Sequence, residues 1–276
     1  MELNNKDRKI LSLLDSNSRE SISNIAKKLR LSKDGVNYRI KKLKSEGIIK
    51  RYFAEVDLSK LGIVIFKIMI QFQNVDKNKE DEIFKFLENK GKIAWIVFCS
   101  GRWDCLIGAC VKDQYEFQEL VDDLEEKYGE YILNKSFSAT SEYYIINRKW
   151  LSAQKSVISK IGGRTSKEVD QLDIKIIKIL TKNCRTPIID IADKLKISSS
   201  SVIKRIKNLE KRKVIQNYYL SLDFEKLGME FCKSFVYLKN YTKKEREKLQ
   251  NYCLSHPNVT ALTNLIGPWE MELKWR

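Results

Sequence analysis

From Asn5 onward, apolar residues recur three and four positions apart: Ile10, Leu11, Leu13 and Leu14, then Ile22, Ile25, Ala26 and Leu29, then Val36, Ile40 and Leu43. That spacing puts each set on one face of a helix. It predicts three short helices, one over about Asn5 to Asp15, a second capped by Ser21, and a third capped by Ser32 and running to about Glu46. Gly47 breaks the third. Ile48 to Ala54 then alternates apolar with polar and predicts a short hairpin. Beyond Ile63 the pattern reads strand (Ile63 to Phe72), helix (Glu80 to Asn89), strand (Ile93 to Cys99), strand (Asp104 to Val111), helix (Tyr115 to Tyr128) and strand (Lys135 to Ile146). A βαββαβ order predicts an antiparallel sheet with helices on one face, the ferredoxin-like arrangement, so the fold class is α+β.

The pattern then repeats. Asp7 to Gly62 aligns with Asp173 to Gly228 at an offset of 166 without gaps, and 23 of the 56 positions are identical. The same offset lays Gly101-Arg102-Trp103-Asp104 over Gly267-Pro268-Trp269-Glu270. The expected units are residues 1–60 and 61–147 for the first copy, a linker over 148–168, then 169–226 and 227–276 for the second. The second α/β unit has nothing equivalent to Tyr115 through Ile146, which fits either a shortened piece or a natural short form. Ser156, Ser159, Gly162, Gly163, Thr165 and Ser166 among several Lys and Arg read as a flexible basic linker, with a helix from Trp150 to Ile161 as the alternative.

Two short helices, a tight turn and a basic third helix form the helix-turn-helix pattern, here followed by a wing. The outward face of the third helix offers Lys33, Asn37, Tyr38, Lys41 and Lys42, which combine phosphate-binding charge with groups able to reach base edges. Lys50 and Arg51 fall in the wing. A lone Lys is usually a solvated charge; the set says more than its members. The second copy keeps the inward Val202, Ile206 and Leu209 but offers Ser199, Ser200, Ile203, Lys204, Lys207 and Asn208 outward. Its specificity is therefore expected to differ. Lys213 replaces Gly47, so the helix before it is expected to run on by a residue.

Charge changes the picture by its distribution. The chain carries +16 overall. Residues 1–60 hold 15 basic and 8 acidic residues, whereas 61–147 hold 10 and 15, and 169–228 hold 13 and 7. Two basic blocks joined to an acidic module suit phosphate-binding heads on a non-binding body. Cys99, Cys105, Cys110, Cys184, Cys232 and Cys253 show no metal-ligand spacing and read as reduced and mostly packed, and the single His256 excludes His-based triads and His-rich metal sites. The acidic run Asp122-Asp123-Leu124-Glu125-Glu126 reads as a solvated helix face. No run approaches a membrane span and no signal segment is present, so a cytoplasmic protein without metal or cofactor is expected.

The stretches Leu31-Ser32-Lys33-Asp34-Gly35-Val36-Asn37-Tyr38-Arg39-Ile40-Lys41-Lys42-Leu43 and Glu46-Gly47-Ile48-Ile49-Lys50-Arg51-Tyr52, with the exit Asp57-Leu58-Ser59-Lys60-Leu61-Gly62, resemble the Lrp/AsnC family of winged helix-turn-helix regulators. The resemblance covers residues 2 to about 146 and, as a cut copy, 169–276. It implies a sequence-specific transcription regulator that binds double-stranded DNA, with a ferredoxin-like effector (RAM) domain after each head. That domain dimerises through its sheets in the family and in many relatives binds amino acids or related small molecules between subunits. Gly101, Arg102, Trp103 and Asp104 match its Gly-x-aromatic-Asp turn and are the expected effector contacts. A homo-oligomer and an intramolecular pseudo-dimer are both open. Two other readings share the pattern: a chromatin-like architectural protein, and an enzyme resembling the sirohaem decarboxylases, whose His- and Arg-bearing pattern is not found in the first effector domain. The expectation is a non-enzyme.

Overall fold

The computed structural model describes residues 3–152 and 157–275. α1 (Asn5–Ser16), α2 (Ile22–Leu29) and α3 (Lys33–Ser45) pack around Ile10, Leu14, Ile25, Val36, Ile40 and Leu43. Side-chain oxygens of Asn4, Ser21 and Ser32 accept from the backbone N–H groups of Asp7, Asn24 and Gly35, satisfying donors that a helix start leaves open. β1 (Ile49–Val56) follows, then β2 (Val64–Phe72), α4 (Lys77–Glu88), β3 (Ile93–Phe98), β4 (Cys105–Val111), α5 (Gln114–Tyr128) and β5 (Ile132–Ile146) in the expected βαββαβ order. After β6 (Ile158–Gly162), the second head is built from α6 (Gln171–Lys182), α7 (Ile188–Leu195), α8 (Ser199–Lys211) and β7 (Ile215–Leu222). Each of those four elements begins and ends 166 residues after its counterpart. β8 (Cys232–Val236), α9 (Lys243–Ser255), β9 (Val259–Ile266) and β10 (Met271–Trp275) repeat the start of the α/β unit.

The hairpin expected over Ile48 to Ala54 does not form. β1 is one strand, and its partner is β7, antiparallel, in a two-stranded sheet between the heads. Phe53 pairs with Tyr219, its own counterpart in the repeat, so a local twofold passes through that pair. Period-two alternation identifies a strand but not what it pairs with; here the duplicate supplies the partner. Two further reciprocal pairs cross the axis. Ser18 N donates to Tyr218 O at 2.8 Å and Cys184 N to Tyr52 O at 3.1 Å, while Asp57 N donates to Val214 O and Asp223 N to Ile48 O, each at 2.9 Å. The heads share one hydrophobic core, to which Tyr52, Ala54, Tyr218 and Leu220 contribute.

The α/β units also join within the chain. Their strands form one sheet in the order β3-β4-β2-β5-β9-β10-β8. β5 serves both halves: its first part pairs with β2 and its second with β9. Met69, Trp103 and Leu106 of the first half meet Leu265 and Trp269 of the second, with Trp95 and Phe235 against them, so the inner faces pack on each other. Between those faces Lys67 Nζ lies 2.6 Å from the Glu272 carboxylate and Lys233 Nζ lies 3.2 Å from it. α4 and α5 cover the outer face of the first half through Ile83, Leu87, Phe117, Leu120 and Leu124. α9 covers the second through Cys253.

The 148–168 segment is folded where it is described, which corrects both the flexible-linker and the helical expectation. Residues 153–156, within the expected helix, lie outside the described residues. Lys149–Leu151 is a single 3₁₀ turn and Leu151 is buried in the core of the heads. Ile158 to Gly162 pairs as β6 with Glu142 to Ile146. Ser159 and Ile161 point inward while Ile158 and Lys160 point out, an alternation that suits a strand and not a helix face. Lys213 supplies a third correction. α8 ends at Lys211, where α3 ends at Ser45, and Lys213 adopts φ +57 in place of Gly47 at φ +72. The turn into the strand outweighs the cost of a left-handed non-glycine residue.

Candidate nucleic-acid interface

α3 and α8 hold corresponding places on the two sides of the twofold. Their inward residues Val36, Ile40, Leu43 and Val202, Ile206, Leu209 are buried, which fixes the outward face of each. On α3, Lys33, Tyr38, Lys41 and Lys42 are exposed, Tyr38 at 68%, and Asn37 is half-buried. On α8, Ser200, Ile203, Lys204, Lys207 and Asn208 are exposed and Ser199 is half-buried. Arg39 and Arg205, between these positions, belong to the scaffold. Arg39 bonds Asp7 at 2.9 Å, and Arg205 bonds Asp173 and Asp170, each at 2.7 Å.

Lys50 and Arg51 lie on β1 instead of a wing tip. Lys50 is 3.1 Å from Asp223, and Arg51 sits over the Phe53 ring at 5.1 Å. Arg30 and Lys196, outside the expected set, are exposed and make the turn before each third helix at φ +55 and +54. The repeat carried the signal, a basic residue at the same place in both copies.

In the Gly101 to Asp104 turn, Gly101 takes φ +134 and is exposed. Arg102 is exposed and its guanidinium donates to the Tyr237 hydroxyl. Trp103 is buried, its ring centroid 6.4 Å from that of Trp269, its repeat mate. Asp104 accepts from Phe72 N at 2.8 Å, as Glu270 accepts from Leu238 N at 2.7 Å in the second copy. Trp103 and Asp104 thus hold the fold, and Arg102 is the side chain of the four that faces solvent.

Most of the remaining chemistry-bearing residues are taken up by packing and ion pairs, although Cys99 and Cys232 are exposed and so depart from the packed expectation. Burial pushes the thiols of Cys105, Cys110 and Cys184 up to about 12, 11 and 11, which leaves them unreactive near neutral pH. In the acidic run of α5, Asp122 bonds Gln118, Asp123 bonds Lys90 and Glu125 bonds Lys135. His256 caps α9 and its Nδ1 accepts from Asn258 N. No helix among the described residues is long and apolar enough to cross a membrane.

Two basic third helices on a shared twofold, above paired ferredoxin-like sheets, define a helix-turn-helix DNA-binding regulator built as a tandem duplicate. A family model described as winged helix-turn-helix DNA-binding matches residues 3–50 and 169–216. HTH-type transcriptional regulator LrpB of Bacillus subtilis is 31% identical over 144 residues, covering 52% of this chain and 95% of that protein. LrpC of the same organism is 32% identical over 101 residues, 36% of this chain and 68% of that one. The chain belongs to the Lrp/AsnC family of transcriptional regulators. The crystal structure of the siroheme decarboxylase NirDL matches 99% of this chain and 82% of its own, with a TM-score of 0.64 at 14% identity. That likeness is one of fold and extends to the tandem arrangement.

Proposed function

We propose that one chain binds double-stranded DNA with two unlike reading helices and so recognises an asymmetric site. The observation that carries this reading is the contrast between α3 and α8. Their boundaries and buried residues correspond at an offset of 166, and the β1–β7 register locks them about one axis, but of the outward set only Lys41 and Lys207 match. A twofold protein with identical helices imposes a palindrome on its DNA; unlike helices on the same frame do not. Lys33, Lys41, Lys42, Lys204 and Lys207 are the phosphate contacts in this reading. Asn37, Tyr38, Ser199, Ser200 and Asn208 are its base-edge readers. Footprinting tests it: N37A is expected to weaken protection of one half of the site and K204A of the other. Loss of both halves together in each variant would oppose it.

The effector belongs to the same proposal. An amino acid or related small molecule would contact the Gly101 to Asp104 turn through Arg102, a role supported by the family resemblance and by the exposure of that side chain. Ligand-dependent thermal stabilisation that R102A removes is the expected outcome. A protein competent for DNA but stabilised by no amino acid counts against it.

A further inference from the structure

In the second head, α6 and α7 enclose an open groove of about 810 Å³. Its floor is apolar, from Ile179 and Leu195, and its rim carries Lys175, Lys178, Lys182 and Lys194 against one acid, Asp190. Among the described residues none of those four lysines takes part in an ion pair. α8 contributes nothing to the lining. In a three-helix bundle the α6–α7 facet lies opposite the third helix, so DNA lying along α8 does not fill this groove.

The matching facet of the first head is built differently. Ser12 and Ser16 stand where Lys178 and Lys182 do, and Lys28, the mate of Lys194, is bound by Glu20 at 2.6 Å, where the second head has Thr186. Asp15, the mate of Thr181, holds Arg148, and the turn after Arg148 packs on α1, where Ser12 and Asp15 are each 1% exposed. The second head has exchanged a near-neutral, covered facet for an uncovered one with four lysines around an apolar floor.

Such a groove fits an acidic segment that also presents an apolar side chain, and this chain carries one. α5 is acidic on its solvent face through Asp122 and Glu126, with Glu119 beside them 3.2 Å from Lys92, and Tyr115 near its start is 73% exposed. Among the described residues, no hydrogen bond or ion pair joins α5 to the groove. We propose that the α6–α7 groove of one chain receives the acidic α5 of a second copy. The contact joins unlike surfaces, so it propagates head to tail instead of closing as a twofold dimer, and it weakens with salt as exposed charge contacts do.

Sedimentation velocity of the full chain tests this, from about 50 to about 500 mM salt, where screening of exposed charges grows severalfold. The variants are K178E/K182E, D122K/E126K and all four together. All changed positions are solvent-facing, and circular dichroism verifies folding. The weight-average mass is expected to rise roughly twofold or more at the low-salt end and to return to that of one chain at the high end, as for contacts that screening weakens. Each charge reversal alone should abolish the rise and the combination restore it. A single-chain mass at every salt would overturn the proposal, as would association that either reversal leaves intact or that the combination does not rescue. Weakened DNA affinity in K178E/K182E with association unchanged would also overturn it, in favour of a DNA contact.

Discussion

Glu272 stands where the first copy has Leu106, between Lys67 and its repeat mate Lys233. Two lysines brought together by the twofold would repel, and one carboxylate in place of a leucine pairs with both and offsets part of that repulsion. Burial pulls Lys67 down to about 8, with Lys233 adding to that and Glu272 opposing it. Glu272 itself is held below the usual carboxylate range: burial works against this, and the two lysines outweigh it. With side chains 7% and 2% exposed, the Lys67–Glu272 pair is dry. Removing one partner of such a pair leaves a buried charge uncompensated, so E272Q should cost roughly 3–5 kcal/mol. Urea unfolding reads this out, and a loss below about 1 kcal/mol would mean that the pair is well hydrated.

Glu55 on β1 provides a pH test at the same scale. Burial pushes its carboxyl up from 4.5 to about 7, against the pull of Lys274 and Arg51. The folded chain therefore holds a proton that the unfolded chain has released between those values. The contribution of Glu55 to stability is full below 4.5 and is lost as pH rises through about 7. Melting temperature should fall with pH across that window in the native chain and fall less in E55Q. Parallel curves for the two would refute the assignment.

At the scale of elements, β6 depends on Gly162. Its φ of +101 strains any side chain, and a Cβ there would lie 2.6 Å from Ser141 O. Its N–H also donates to Asp57 Oδ1 at 3.0 Å, which ties β6 to the exit from β1. G162A should destabilise by about 1–3 kcal/mol, as overpacking and left-handed strain do, a drop of roughly 2–4 °C in Tm per kcal/mol for a chain of this size. An unchanged Tm would show β6 to be dispensable.

Much at this level was legible in the sequence. The three helices of the first head, the Ser21 and Ser32 caps and the βαββαβ order lie within a few residues of where apolar spacing put them, because period and capping are local properties. Three features were not local. The partner of Ile49–Val56 is a strand about 170 residues away, and no alternation within β1 names it. β6 sits in a Ser-, Gly- and Lys-rich stretch, with two inward residues to mark it. Trp103 and Asp104 matched an effector turn by type, but their side chains are taken up by Trp269 and by Phe72 N.

At the scale of the whole molecule, the duplicate turns what would be a dimer of two chains into one. The heads are tied by β1–β7 and by reciprocal bonds across the axis, and the α/β units by β5–β9 and the Lys67–Glu272–Lys233 cluster. A single chain can then vary one reading helix without varying the other. The repeat conserves what faces inward and changes what faces out, with Asn37, Tyr38 and Lys42 against Ile203, Lys204 and Asn208. Each well-placed base contact discriminates by about 1–3 kcal/mol, so under the proposed function the gain or loss of a base-edge reader at these positions gives two distinct half-sites. The direct measurement is selection of bound sequences from a random DNA library, run with the native chain and with a chain whose outward residues over 199–208 are replaced by those of 33–42. Two unlike half-sites are expected for the native chain and a palindrome for the replaced one. A palindrome from the native chain, unchanged by the replacement, would contradict the proposed asymmetric site.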